Sequence, residues 1–240
     1  MDQIRIAMWS GPRNISTTMM RSFSSRSDTF VSDEPFYACY LQRTGLQHPG
    51  REEILRSCKR DYRSIINDIT STIPSGKKVW YQKHMAHHLI NLEKIEWIRD
   101  FYNCFLIRHP KNVINSYVKK NKLNHINELG YPQQYELIQY LQKFQKKILV
   151  IDTSILLKNP ENILNQWCKH LDIRFDKRML QWEKGLYPTD GIWWKHWYNN
   201  VINTTKFEIF QNQYDNVPEE YQSIYDEALY YYKKLYYFVL

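Results

Sequence analysis

The stretch Ile4-Arg5-Ile6-Ala7-Met8-Trp9-Ser10-Gly11-Pro12-Arg13-Asn14-Ile15-Ser16-Thr17-Thr18 decides the fold. Residues 4–9 are an apolar, strand-like run, and residues 17–26 read as a helix. Between them lies a short loop with one Gly, one Pro and one Arg, ending in three hydroxyl side chains. Backbone N–H groups at a helix N-terminus point into such a loop, and the helix dipole favours negative charge there. Ser16, Thr17 and Thr18 add hydroxyl donors, and Arg13 adds a planar fork of N–H groups. The loop therefore suits a phosphate or a phosphate-like group. It is not the triphosphate loop G-x-x-x-x-G-K-[ST], because the second Gly and the Lys are both missing. That disfavours a triphosphate held with Mg²⁺. Standing alone, the same residues also read as an ordinary Gly-Pro turn followed by a Ser N-cap.

A second segment has the same shape. Phe105-Leu106-Ile107 ends an apolar strand, Arg108-His109-Pro110 follows, and a helix begins with Pro in its first turn. Val113, Ile114, Tyr117 and Val118 give that helix an apolar face. Arg108 then sits at a strand's carboxyl end, with Ser116 about two turns into the helix. The pair can grip a second phosphate; the bland alternative is a surface Arg and a solvated Ser.

Outward from these two segments the pattern alternates. Strands are predicted over 4–9, 30–32, 78–82, 104–107 and 148–151. Helices are predicted over 17–26, 51–70, 86–97, 110–122, 160–171 and 219–236. Such alternation implies an α/β three-layer sandwich with a central parallel sheet. Ligands collect at the carboxyl ends of the strands in such a sheet. No linker divides the chain, so a single domain over 1–240 is expected.

The two anion sites together resemble the sulfotransferases that use 3′-phosphoadenylyl sulfate (PAPS). That family carries a P-[KR]-x-x-[ST]-T loop after its first strand, and a later strand ending in R-x-P with a Ser eight residues beyond the Arg. Here Pro12-Arg13-Asn14-Ile15-Ser16-Thr17 and Arg108-His109-Pro110…Ser116-Tyr117 stand in those places. Arg13-Asn14-Ile15 departs from the Lys and Ser-Gly of the cytosolic branch. Further segments resemble a group of small sulfotransferase-like proteins: Asp33-Glu34-Pro35-Phe36-Tyr37, Lys83-His84-Met85-Ala86-His87-His88, and residues 190–198.

The resemblance implies a P-loop NTPase-like sulfotransferase fold and PAPS as co-substrate, with no metal. It assigns Arg13, Asn14, Ile15, Ser16, Thr17 and Thr18 to the 5′ end of the donor, and Arg108 and Ser116 to its 3′-phosphate. Gly191 and Lys195 fall where the family carries a Gly-containing basic loop over that phosphate. Lys83 would stabilise the bridging oxygen. His84 is the first candidate for the base, since imidazole suits proton transfer near neutrality. Glu34 is its rival, and its bland reading is a structural ion pair. The expected reaction moves a sulfuryl group to a hydroxyl or amine of a small molecule, releasing adenosine 3′,5′-bisphosphate. A P-loop kinase and a non-catalytic nucleotide- or RNA-binding protein are the alternatives.

Composition fits this reading. The net charge is +8 but spread along the chain, with no basic tail. A cleft for an anionic cofactor uses part of that excess, and no nucleic-acid partner is expected. His84, His87 and His88 lack the H-E-x-x-H order of a zinc helix. The first residues show no signal-peptide pattern, and no apolar run is long enough to span a membrane. Cys39, Cys58, Cys104 and Cys168 have no C-x-x-C spacing and read as reduced thiols of a cytoplasmic protein. A homodimer stays open. Trp193, Trp194, Trp197 and Tyr198 read equally as a stacking platform or as core, and the Tyr-rich end as a helix packed on the body.

Overall fold

The computed structural model describes residues 3–90, 94–144, 148–208 and 216–240. Five strands, β1 (Ile4–Ser10), β2 (Thr29–Asp33), β3 (Val79–Met85), β4 (Tyr102–Ile107) and β5 (Leu149–Asp152), form one sheet. All neighbours are parallel, in the order β2-β3-β1-β4-β5. The helices are α1 (Ser16–Ser24), α2 (Tyr37–Thr44), α3 (Arg51–Ser57), α4 (Tyr62–Thr70), α5 (Pro110–Tyr117), α6 (Tyr131–Gln142), α7 (Thr153–Lys158), α8 (Pro160–His170), α9 (Trp194–Trp197) and α10 (Gln222–Tyr236).

The strands are apolar on both faces because both are covered. In β1, Ile6 and Met8 pack with Met19, Met20 and Phe23 of α1 and Trp167 of α8. Ala7 and Trp9 point the other way, into a core with Val113 of α5, Leu137 of α6 and Leu235 of α10. This gives the three layers read from the sequence. Burying each of these large side chains contributes roughly 1.5–3 kcal/mol. The chain crosses from one side of β1 to the other between β3 and β4, so the carboxyl end of β1 lies at the switch point where such sheets bind ligands.

Four predicted elements differ in detail. The helix over 51–70 is broken, because Cys58 is extended (φ −115°) and Asp61 starts α4 by accepting from the Ser64 N–H at 2.7 Å. The stretch 86–97 gives 3₁₀ turns at Ala86–His88 and Glu96–Asp100 rather than an α-helix; residues 91–93 lie outside those described. Ala86, Leu89, Ile95, Trp97 and Ile98 are buried together, which a one-faced helix does not achieve. The first helix ends at Ser24 and the helix after Pro110 at Tyr117. Four helices, α2, α6, α7 and α9, were not expected. The Tyr-rich end forms α10, which packs on the body through Ala228 and Leu235. No helix among the described residues is long and apolar enough to cross a membrane.

Candidate active site

The loop after β1 opens the site. Gly11 is required there by close approach: a Cβ would lie 2.0 Å from the Leu129 carbonyl oxygen. Arg13 (φ 63°) and Ile15 (φ 54°) take the left-handed conformation, so the turn that a glycine would ease is made by Ile15 itself. Ile15 supplies no side-chain cap to α1, and no acidic residue lies in the first turn of that nine-residue helix. A helix start of this kind offers its first N–H groups to an anion.

The two predicted anion sites meet. Arg13 Nε donates to Ser116 Oγ at 2.8 Å, across 103 positions of sequence. Arg108 Nη1 donates to the Arg13 carbonyl at 3.0 Å, and the Tyr131 hydroxyl fixes the Arg108 carbonyl at 2.6 Å. Ser116 is within α5, whose start is capped by His109 Nδ1 accepting from the Lys111 N–H. Arg13, Ile15, Ser16, Thr17, Thr18, Arg108 and Ser116 line one cleft of about 400 Å³. That volume is in the range of small-molecule sites. A wider depression of about 780 Å³ beside Cys39, Arg43, Cys58 and Tyr62 contains none of the expected site residues.

Glu34 and Lys83 line the same cleft. Asp33 and Lys83 are register partners on β2 and β3, so their side chains leave the sheet together. Lys83 Nζ donates to Asp33 Oδ1 at 2.9 Å, Glu34 Oε1 at 2.5 Å and the Tyr198 hydroxyl at 2.8 Å. All three of its N–H bonds are used. Burial works against the Lys83 charge, but Asp33, Glu34 and Tyr198 outweigh it and hold the ammonium well above its usual range. The two carboxylates differ. Asp33 also accepts from the Gly191 N–H at 2.9 Å and from the Tyr198 hydroxyl at 2.5 Å, so three donors hold its carboxyl group. Glu34 sits at φ 44°, and burial pushes its carboxyl pKa up; Lys83 pulls it back only in part, and Asp33 adds to the rise. Three of the six left-handed non-glycine residues among the described positions, Arg13, Ile15 and Glu34, belong to this cleft. Such strain clusters at functional sites.

The structure sets four expected residues elsewhere. His84 faces away from the cleft: its ring stacks on Trp9 at 4.6 Å among Phe36 and Trp97, and Nε2 meets Gln82 Oε1 at 3.2 Å. Side chains alternate along β3, so Lys83 and His84 cannot both face the loop. Burial alone pushes the His84 pKa down to about 3. The Asn14 side chain turns inward, its Nδ2 donating to the Leu106 carbonyl at 3.2 Å, and it braces the loop on β4. Gly191 gives its N–H to Asp33, and a Cβ there would lie 2.1 Å from the Trp193 ring. Lys195 is half-exposed, with Nζ 3.5 Å from Glu53 Oε1, and does not line the cleft. The segment carrying both is pinned by Asp190, which accepts from Arg21 at 2.7 and 2.6 Å beneath the Tyr187 ring.

Tyr37, His48, Met85, His87, His88, Tyr117, Glu128, Trp197 and Tyr198 are among the other residues of the cleft wall. The Tyr37 ring stacks on His88 at 4.9 Å, and its hydroxyl meets His48 Nδ1 at 2.8 Å. Burial pushes the His87 pKa down to about 3, with help from His48, so this wall presents neutral imidazole. The sequence carried a signal for Trp197 and Tyr198 in the aromatic run. It carried none for His48, which comes from an irregular loop, or for Glu128, whose carboxylate accepts the Tyr117 hydroxyl and the Asn124 and His125 N–H groups.

The family comparison falls on this geometry. The sequence profile of the sulfotransferase domain matches residues 4–236. This chain belongs to the sulfotransferase domain family. It is 32% identical over 224 residues to the branched-chain-amino-acid aminotransferase-like protein 2 of Arabidopsis thaliana, and 34% over 202 residues to protein 1 of that name. Those alignments cover 93% and 84% of this chain but only 40% and 36% of the relatives, so the chain spans less than half their length. Among solved structures it resembles the sulfotransferase domain of the Synechococcus olefin synthase, with TM-score 0.56, 16% identity, and 97% and 95% of the two chains covered. It also resembles a sulfotransferase of Alicyclobacillus acidocaldarius, with TM-score 0.56, 9% identity, and 99% and 97% covered. At these identities the likeness shows the fold, and the fold is that of sulfotransferases.

Proposed function

We propose that this sulfotransferase-family chain transfers a sulfuryl group from PAPS to a hydroxyl or amine of a small acceptor, releasing adenosine 3′,5′-bisphosphate. The observation that carries the reading is the junction of Arg13, Ser116 and Arg108 at the start of α1, in one cleft with the Lys83–Glu34 pair. The donor set fits the group: N–H donors and two guanidinium ions for anionic oxygens, and no carboxylate among the loop residues. PAPS supplies an activated sulfuryl group on a phosphate leaving group. Arg13, Ser16, Thr17 and Thr18 hold its 5′ end, and Arg108 and Ser116 hold its 3′-phosphate. Preorganised donors of this kind need no rearrangement as charge moves to the leaving phosphate.

Glu34 is the base in this account. It takes the acceptor's proton as the new bond to sulfur forms and the bond from sulfur to the phosphate oxygen breaks. Its raised pKa brings a carboxylate towards the working range of a general base. Lys83 is a fixed ammonium beside it, and Asp33 and Tyr198 fix the ammonium. The small acceptor binds against the Tyr37, His87 and Trp197 side of the cleft.

Thermal stabilisation by nucleotides tests the donor site. Adenosine 3′,5′-bisphosphate at ~100 Kd adds about 2.7 kcal/mol to the folded state. The expected result is a rise in Tm with the bisphosphate, small with ADP, absent in Arg108→Ala. A rise with ATP·Mg²⁺ instead overturns the sulfuryl donor in favour of a kinase.

A further inference from the structure

The phosphate end of the cleft is more basic than Arg13 and Arg108 make it. Lys119 and Lys120 line it as well, just past the end of α5. The backbone continues the helical path there: the Asn121 N–H donates to the Tyr117 carbonyl, as does that of Lys120. Lys119 and Lys120 are three and four positions beyond Ser116, a spacing that shares a helix face. Ser116 is itself bonded to Arg13. Four cationic side chains, Arg13, Arg108, Lys119 and Lys120, therefore line one cleft. Lys195, on the segment expected to cover the 3′-phosphate, lies outside the cleft beside Glu53.

We infer that Lys119 and Lys120 bind the 3′-phosphate of the donor beside Arg108 and Ser116. The inference rests on the proposed PAPS reading. It makes these two lysines the residues that distinguish a 3′-phosphorylated nucleotide from a plain 5′-nucleotide. Both are exposed, so their removal leaves the fold intact.

Calorimetric titration with adenosine 3′,5′-bisphosphate and with adenosine 5′-monophosphate tests it, on the wild type, the Lys119→Ala/Lys120→Ala double variant and Lys195→Ala. The double variant is expected to lose about tenfold in affinity for the bisphosphate and about twofold or less for the monophosphate. Its bisphosphate affinity should also depend less on salt, since two charges no longer meet the phosphate. Lys195→Ala should bind both nucleotides as the wild type does. Unchanged bisphosphate binding in the double variant overturns the inference. So does an equal loss for both nucleotides, or a bisphosphate-selective loss in Lys195→Ala. Binding of neither nucleotide by the wild type overturns the donor reading itself, and the inference with it.

Discussion

Glu34 and His84 are adjacent to the same lysine, yet their surroundings give them opposite roles. Glu34 reaches the cleft with a raised pKa, while His84 is held neutral in an aromatic core. Glu34→Gln keeps the shape and removes the proton acceptor; turnover should fall by about 10²–10⁴ with bisphosphate binding retained. His84→Ala should act through stability, costing about 2–4 kcal/mol in a urea titration by opening a cavity beside Trp9. Its affinity for the bisphosphate should match the wild type, and a selective loss of turnover at unchanged stability would count against the assignment. The Arg, Ser and Thr residues that line one end of the cleft stood out in the sequence because they cluster just after two apolar strands. The choice between Glu34 and His84 was not, since it turns on one residue of strand register, and a one-residue shift exchanges the faces.

At the scale of elements, the loop between β1 and α1 is held from three directions: Asn14 on β4, Arg108 on the Arg13 carbonyl, and the Leu129 carbonyl against Gly11. Gly11→Ala should destabilise by about 1–3 kcal/mol, because the clash is with backbone that cannot rotate away. It should weaken bisphosphate binding as well, and a melt with unchanged Tm would refute the close approach. β1 and β4 were plain in the sequence as apolar runs followed by turn residues. The break at Cys58 was less so, since only Asp61 marks the new start. The helix α6 was hidden because Gly130-Tyr131-Pro132 reads as a turn, although Pro132 lies in its first turn and Leu137, Ile138 and Leu141 form its buried stripe.

For the whole molecule, burial of uncharged imidazoles links stability to pH. His84 and His87 titrate near 3 when folded, against 6.5 for a free imidazole, and His88 is pushed well below its usual value too. The unfolded chain therefore binds more protons below pH 6.5, and stability falls as the pH drops through that value towards 3. Each such group contributes a slope of about 1.4 kcal/mol per pH unit. Glu34, whose folded pKa is raised, opposes this with a slope of the other sign above 4.5. Burial lowers the pKa of His48 and His109 as well, so five imidazoles against one carboxyl leave a net loss on acidification, measurable as a falling urea midpoint between pH 6.5 and 5. A flat midpoint there would contradict the buried neutral histidines. The order β2-β3-β1-β4-β5 brings Arg13, Arg108, Lys83 and Glu34 to one sheet edge although they are scattered over the sequence. The most direct test of that convergence is transfer of ³⁵S from labelled PAPS into a small-molecule extract, comparing the wild type with Glu34→Gln. The account predicts a labelled product made by the wild type and lost in Glu34→Gln, which still binds the bisphosphate. Equal labelling by both proteins, or no labelled product from a wild type that is labelling acceptors from γ-³²P-ATP instead, would contradict it.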